Sequence, residues 1–188
     1  MNKQSFDNLT EEEKKAIYIW TNSTLEYRHI KRIFQGNYLD DFLKEYLPTA
    51  NLLRGLFEKY IDNTDKKKSI FRGDILEDEN NEVDDIFFVF KNNHVISQTI
   101  ELENSILSFS YDIQTAENSI FNSSKNIEQK KAAVIYEICS RKSVYLDISN
   151  FSIFKNENEI LVQPKLKFRV IDITQHSDYI IHCKLDEV

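Results

Sequence analysis

The chain has 188 residues, of which 41% are hydrophobic, 12% aromatic and 29% charged, the composition of a globular chain and not of a disordered one. Its net charge of −7 gives no general attraction to phosphate backbones or anionic lipids, so neither nucleic acid nor a membrane is expected as a partner. Three glycines, Gly36, Gly55 and Gly73, are too few and too far apart for a Walker loop, a G-x-G-x-x-G turn or a G-x-S-x-G elbow.

Met1 to Glu13 is polar, and no cleavable leader is expected. Thr10 with Glu13 has capping-box spacing. Ala16, Ile17, Trp20, Leu25, Tyr27, Ile30, Ile33 and Phe34 then recur at helical intervals, with a weak point at Thr21 to Thr24 and a stop at Gly36. A second short helix is predicted from Tyr38 to Tyr46, ended by Pro48. Thr49 is expected to cap a third, with Leu52, Leu53, Leu56 and Tyr60 on one face. The polar run Asn63 to Lys68 reads as a solvated loop. Short runs of β type follow at Ser69–Arg72, Ile86–Phe90, Val95–Thr99, Ile106–Ser110, Ala132–Ile138, Val144–Ile148, Glu159–Val162, Leu166–Ile173 and Tyr179–Lys184. Leu76 to Asp85 is an acidic insertion, and Ala116 to Asn122 has helical character. The sum is an α+β chain forming one domain over 1–188. Its helical part, 1–62, packs on a mainly β part, 63–188, built as a two-sheet sandwich.

No stretch approaches 18 apolar residues, so no spanning helix is expected. Cys139 and Cys183 read as reduced core residues in a cytosolic setting. The four histidines, His29, His94, His176 and His182, are not at ligand spacing from one another or from a cysteine, and no metal is expected. No serine is marked as a nucleophile.

Three ordered segments carry more. Ile70-Phe71-Arg72-Gly73 is an apolar strand ending in Arg. Ile106-Leu107-Ser108-Phe109-Ser110 is an apolar strand ending in Ser-x-Ser. Phe154-Lys155-Asn156-Glu157-Asn158-Glu159 is an aromatic loop ending in Glu-x-Glu, followed by Ile160-Leu161-Val162-Gln163-Pro164-Lys165-Leu166-Lys167-Phe168-Arg169-Val170. This order resembles the R-S-E signature of the arginine-directed mono-ADP-ribosyltransferases, and Phe109 departs from the small polar residue usual between the serines. The resemblance covers most of the chain. It implies a cleft between two sheets that takes NAD as substrate, with no metal.

By that resemblance Glu159 stabilises the oxocarbenium-like ribose and Ser108 positions Glu159. Arg72 grips the pyrophosphate or nearby ribose, and Gly73 lets the backbone approach the nicotinamide. Ser110 completes the Ser-x-Ser, and Phe121 stacks near the nicotinamide. Glu157 engages an acceptor guanidinium, and Phe154 contacts the target protein. Strand alternation would put Glu157 and Glu159 on opposite faces, whereas a turn at Asn156–Asn158 would bring both to one side. The implied activity transfers ADP-ribose from NAD to an arginine of a protein, in the cytosol or in a host cytosol as an effector. Two alternatives stand beside it: an NAD glycohydrolase using the same residues, and a non-catalytic module that docks a basic partner through Glu77 to Asp85.

Overall fold

The computed structural model describes residues 3–22, 25–36, 41–76, 85–92, 95–103, 105–123 and 132–188. The acidic insertion falls almost wholly outside them. The described residues form two compact units, each assembled from three stretches of chain. One comprises 1–65, 103–108 and 143–165; the other comprises 66–102, 109–142 and 166–188.

The first unit opens on three helices, α1 (Glu11–Thr21), α2 (Leu25–Phe34) and α3 (Leu47–Lys59). The capping box forms as expected: Glu13 N–H donates to Thr10 Oγ1, and Thr10 N–H donates to a Glu13 carboxylate oxygen at 2.8 Å. The weak point expected from Thr21 to Thr24 is real, since α1 ends at Thr21 and α2 begins at Leu25. Gly36 follows α2 at φ +93°, the left-handed stop that favours glycine. Pro48 does the opposite of what the sequence suggests. It lies in the first turn of α3, which starts at Leu47 without a side-chain cap, so Thr49 is inside the helix. A missing N–H costs nothing in a first turn. The short helix expected from Tyr38 to Tyr46 is a 3-10 helix over Asp41–Tyr46, and positions 38–40 lie outside the described residues.

Ile17, Trp20, Ile30, Ile33, Leu53 and Leu56 bury one face of each helix, and Ile106, Leu146, Ile148 and Leu161 complete the same core. The last four come from later in the chain, near or on β3 (Leu107–Ser110), β5 (Tyr145–Asp147) and β6 (Glu159–Val162). In this unit the strands run in the order β3-β6-β5.

The second unit holds β1 (Ile70–Ile75), α4 (Asp85–Lys91), β2 (Thr99–Glu101), α5 (Ile113–Ser123), β4 (Ala133–Ser140), β7 (Lys167–Gln175) and β8 (Ile180–Glu187). Its strand order is β2-β7-β8-β4-β1-β3, with β4 and β8 parallel and the other recorded pairs antiparallel. The α+β class read from sequence holds.

Two further elements differ from the reading. Ile86–Phe90 is not a strand but lies in α4, where Phe87 and Phe90 are buried and Phe88 and Val89 are exposed. Val95–Thr99 is mostly a turn with Ser97 at φ +70°, and only Thr99 enters β2. Cys183 is buried, Cys139 is half-buried, and neither is in a disulfide. Burial pushes the Cys183 thiol up to about 12, and burial with the nearby Glu137 charge pushes Cys139 up to about 11. Burial thus favours the protonated thiol at both positions. Among the described residues, no helix is long and apolar enough to cross a membrane.

Candidate functional site

The sequence-predicted residues fall into two groups, one in each unit. In the first unit Glu159 opens β6 and is 7% exposed. An isolated carboxylate so buried would be costly, and here both oxygens are held. Ser108 Oγ donates to Oε1 at 2.6 Å, and Ser152 Oγ donates to Oε2 at 3.0 Å.

An ionised carboxylate can only accept, and each hydroxyl is in turn backed by a donor. Trp20 Nε1–H, which can only donate, reaches Ser108 Oγ at 3.2 Å. The Phe154 backbone N–H, also only a donor, reaches Ser152 Oγ at 3.2 Å. Each hydroxyl thus accepts from outside and directs its own proton at Glu159. The array favours the ionised carboxylate. Burial acts the other way and is the larger effect. With the Glu157 charge helping it and the two serines opposing it, Glu159 is held above the ordinary carboxylate range.

Glu157 ends a 3-10 turn, Lys155–Glu157, and Asn158 follows in the left-handed region at φ +47°. The turn alternative is therefore the one observed, and strand alternation does not apply across 157–159. Glu157 is exposed, yet enough protein surrounds its carboxyl to raise it by burial. Phe154 is 45% exposed on the same loop, as its Lys155 and Asn156 neighbours suggest, while Phe168 is core.

In the second unit Arg72 lies inside β1 and does not end it as expected, because the strand runs on to Ile75, with Gly73, Asp74 and Ile75 all paired to β4. Its Nε donates to Asp74 Oδ2 at 2.9 Å, and its Nη2 approaches Asp74 Oδ1 at 2.7 Å. Arg72 and Asp74 are two apart on a strand and so share a face. Gly73 between them has a packing reason to be glycine. A Cβ there would come within 2.2 Å of the Ala116 carbonyl oxygen and 2.8 Å of Ile120, so α5 rests directly on the β1 backbone. Ser119 Oγ lies 3.1 Å from the Gly73 carbonyl. Ser110 is buried and pairs across from Phe71. Its Oγ accepts the Asp112 N–H at 3.0 Å, closing the turn that leads into α5. Phe121 is 46% exposed near the end of that helix.

Sequence reasoning misses Ser152, Trp20 as a donor, and Asp74. Ser152 carries no spacing signal, and Trp20 reads as one more apolar position on α1. Asp74 is visible only as a carboxylate two residues from Arg72. Among the described residues, no group of three His, Cys, Asp or Glu side chains is arranged to hold a metal ion.

No model of a known protein family matches this chain, and no curated protein matches it. Solved structures do. The ADP-ribosyltransferase Vis, a Vibrio splendidus toxin, in complex with agmatine is similar over 98% of this chain and 78% of its own. The TM-score is 0.72 at 15% identity. The C3 exoenzyme of Clostridium limosum is similar over 96% of this chain and 87% of its own, with a TM-score of 0.62 at 14% identity. Exoenzyme S from Pseudomonas aeruginosa, in complex with human 14-3-3 protein beta and bound to carba-NAD, is similar over 95% of this chain and 74% of its own. Its TM-score is 0.63 at 18% identity.

Proposed function

We propose, starting from a chain that has the fold of the bacterial ADP-ribosyltransferases, that it transfers ADP-ribose from NAD to an arginine side chain of a protein. The observation that carries this reading is the buried Glu159 carboxylate, held through both oxygens by Ser108 and Ser152 and followed back one left-handed residue to Glu157.

In this reading the bond from ribose C1′ to the nicotinamide nitrogen breaks, and its electron pair leaves with neutral nicotinamide. Positive charge develops on the ribose, as in glycoside cleavage. Glu159 stabilises that charge, and Ser108 keeps it aimed. A guanidinium nitrogen of the acceptor then bonds to C1′ and gives its proton to Glu157, whose raised affinity for protons suits a base. Arg72 holds the pyrophosphate. Gly73, Ser110 and Phe121 shape the nicotinamide end, and Phe154 meets the target protein. The alternative glycohydrolase needs Glu159 but not Glu157.

The test is nicotinamide release from NAD, with and without agmatine as a soluble guanidinium acceptor, together with labelling of lysate proteins by biotin-NAD. Release that requires Glu159, with labelling lost in Glu157→Gln, supports arginine transfer. Release without labelled product marks a hydrolase. A folded protein that neither binds NAD nor releases nicotinamide sinks both.

A further inference from the structure

Ser152 belongs to none of the motifs, yet it is 3% exposed and directs its proton at Glu159. It stands at the root of the loop 153–158. That root is tied back at two points. Phe154 N–H donates to Ser152 Oγ at 3.2 Å, and Ile153 N–H donates to Thr21 Oγ1 at 3.3 Å. Thr21 is itself buried at the end of α1, where its hydroxyl donates to the Tyr18 carbonyl at 3.1 Å. A displacement of the loop therefore pulls on the hydroxyl that holds Glu159 Oε2, while Oε1 stays with Ser108 on β3.

We propose that Ser152 is a positioning residue that couples the loop 153–158 to the orientation of the Glu159 carboxylate, so that contact of the loop with an acceptor is felt at the group that faces the ribose. The inference rests on the functional reading above for what Glu159 does; the coupling itself rests on the hydrogen bonds. Among the described residues of this unit, the charged group acting on Glu159 is Glu157 from the 3-10 turn. β3 presents Ser108, and α1 presents Trp20 and Thr21, all uncharged. The loop's influence is thus exerted through Ser152 and Glu157 together.

The experiment compares the whole chain with Ser152→Ala, Ser152→Thr and Thr21→Val, reading two quantities. The Glu159 carboxyl is titrated by 13C NMR, and nicotinamide release is followed against pH. In Ser152→Ala the Glu159 midpoint should move to higher pH, the acid limb of the rate should follow it, and kcat should fall about 10-fold. The KM for NAD should stay within about twofold, since a group acting only on the transition state leaves it alone. Ser152→Thr, which keeps the hydroxyl, should restore both. Thr21→Val leaves Ser152 in place and frees the Ile153 N–H, so it should move the midpoint the same way by less. An unmoved midpoint in Ser152→Ala or in Thr21→Val overturns the coupling. A wild type with the titration as described but no release of nicotinamide overturns the functional reading instead, and leaves the coupling standing.

Discussion

Two buried glutamates of the first unit titrate in opposite directions, and each has a consequence for stability. Glu13 accepts from Tyr60 Oη at 2.6 Å, from Thr10 N–H and from Lys59 Nζ at 2.9 Å. Burial pushes it up, but these donors together outweigh burial and hold it below its usual value. Its contribution is present above the unfolded carboxyl value and is lost as pH falls through the folded one. Glu13→Gln should cost roughly 2 kcal/mol at neutral pH and flatten the acid limb of a plot of urea midpoint against pH. Glu159 lies on the other side. Its folded value is raised, so the fold is least strained below the unfolded carboxyl value, and stability declines as pH rises through the folded value. Glu159→Gln should therefore gain on the order of 1 kcal/mol at pH 7 while nicotinamide release drops about 100-fold or more. A melting temperature that falls in this variant would contradict the account. At this scale the sequence is informative where a motif is extended. Glu159 and Ser108 are legible because the Glu-x-Glu leads into a long matching string, and the structure joins them directly. Ser152 is not, because a lone serine seven residues upstream looks like any other serine until the chain is folded.

Among the elements, those with local signals are legible and those needing tertiary context are not. The Thr10–Glu13 box is a contact between residues three apart, and Thr10→Ala should lower stability by about 1 kcal/mol in denaturant titration. The run from Ile86 to Phe90 is apolar throughout, which fits a buried strand as well as a helix. Only its packing, with Phe87 and Phe90 inward, selects α4. Pro48 reads as a stop because proline resists the helix interior, yet it serves equally as a start, and the Leu52, Leu53 and Leu56 spacing follows it directly. The contact of α5 with β1 is invisible in the sequence, since nothing local says that Gly73 faces a helix backbone. Gly73→Ala should destabilise by about 2–3 kcal/mol, because the colliding atom is the Ala116 carbonyl and not the tip of a side chain. Calorimetry showing an unchanged transition would mean that α5 has room to move.

For the molecule as a whole, contact and sequence order part company. The composition changes from helical to strand-rich near residue 62, but the first unit takes its remaining core residues, Ile106, Leu146, Ile148 and Leu161, from the other side of that change. A chain ending at Asp65 would keep α1, α2 and α3 and lose those four partners. It should melt broadly, without a cooperative transition, and bind a hydrophobic dye; a sharp transition would show that the three helices suffice. The interleaving also sets a schedule. Trp20, Ser108 and Ser152 with Glu159 stand far apart along the chain, and bringing them together requires closing loops of dozens of residues, a slow entropic step compared with helix formation. On a ribosome the early helices emerge first and wait. The carboxylate and both of its hydroxyls can meet only after the stretch 143–165 has arrived, so a nascent chain that stops short of that stretch lacks the whole array around Glu159.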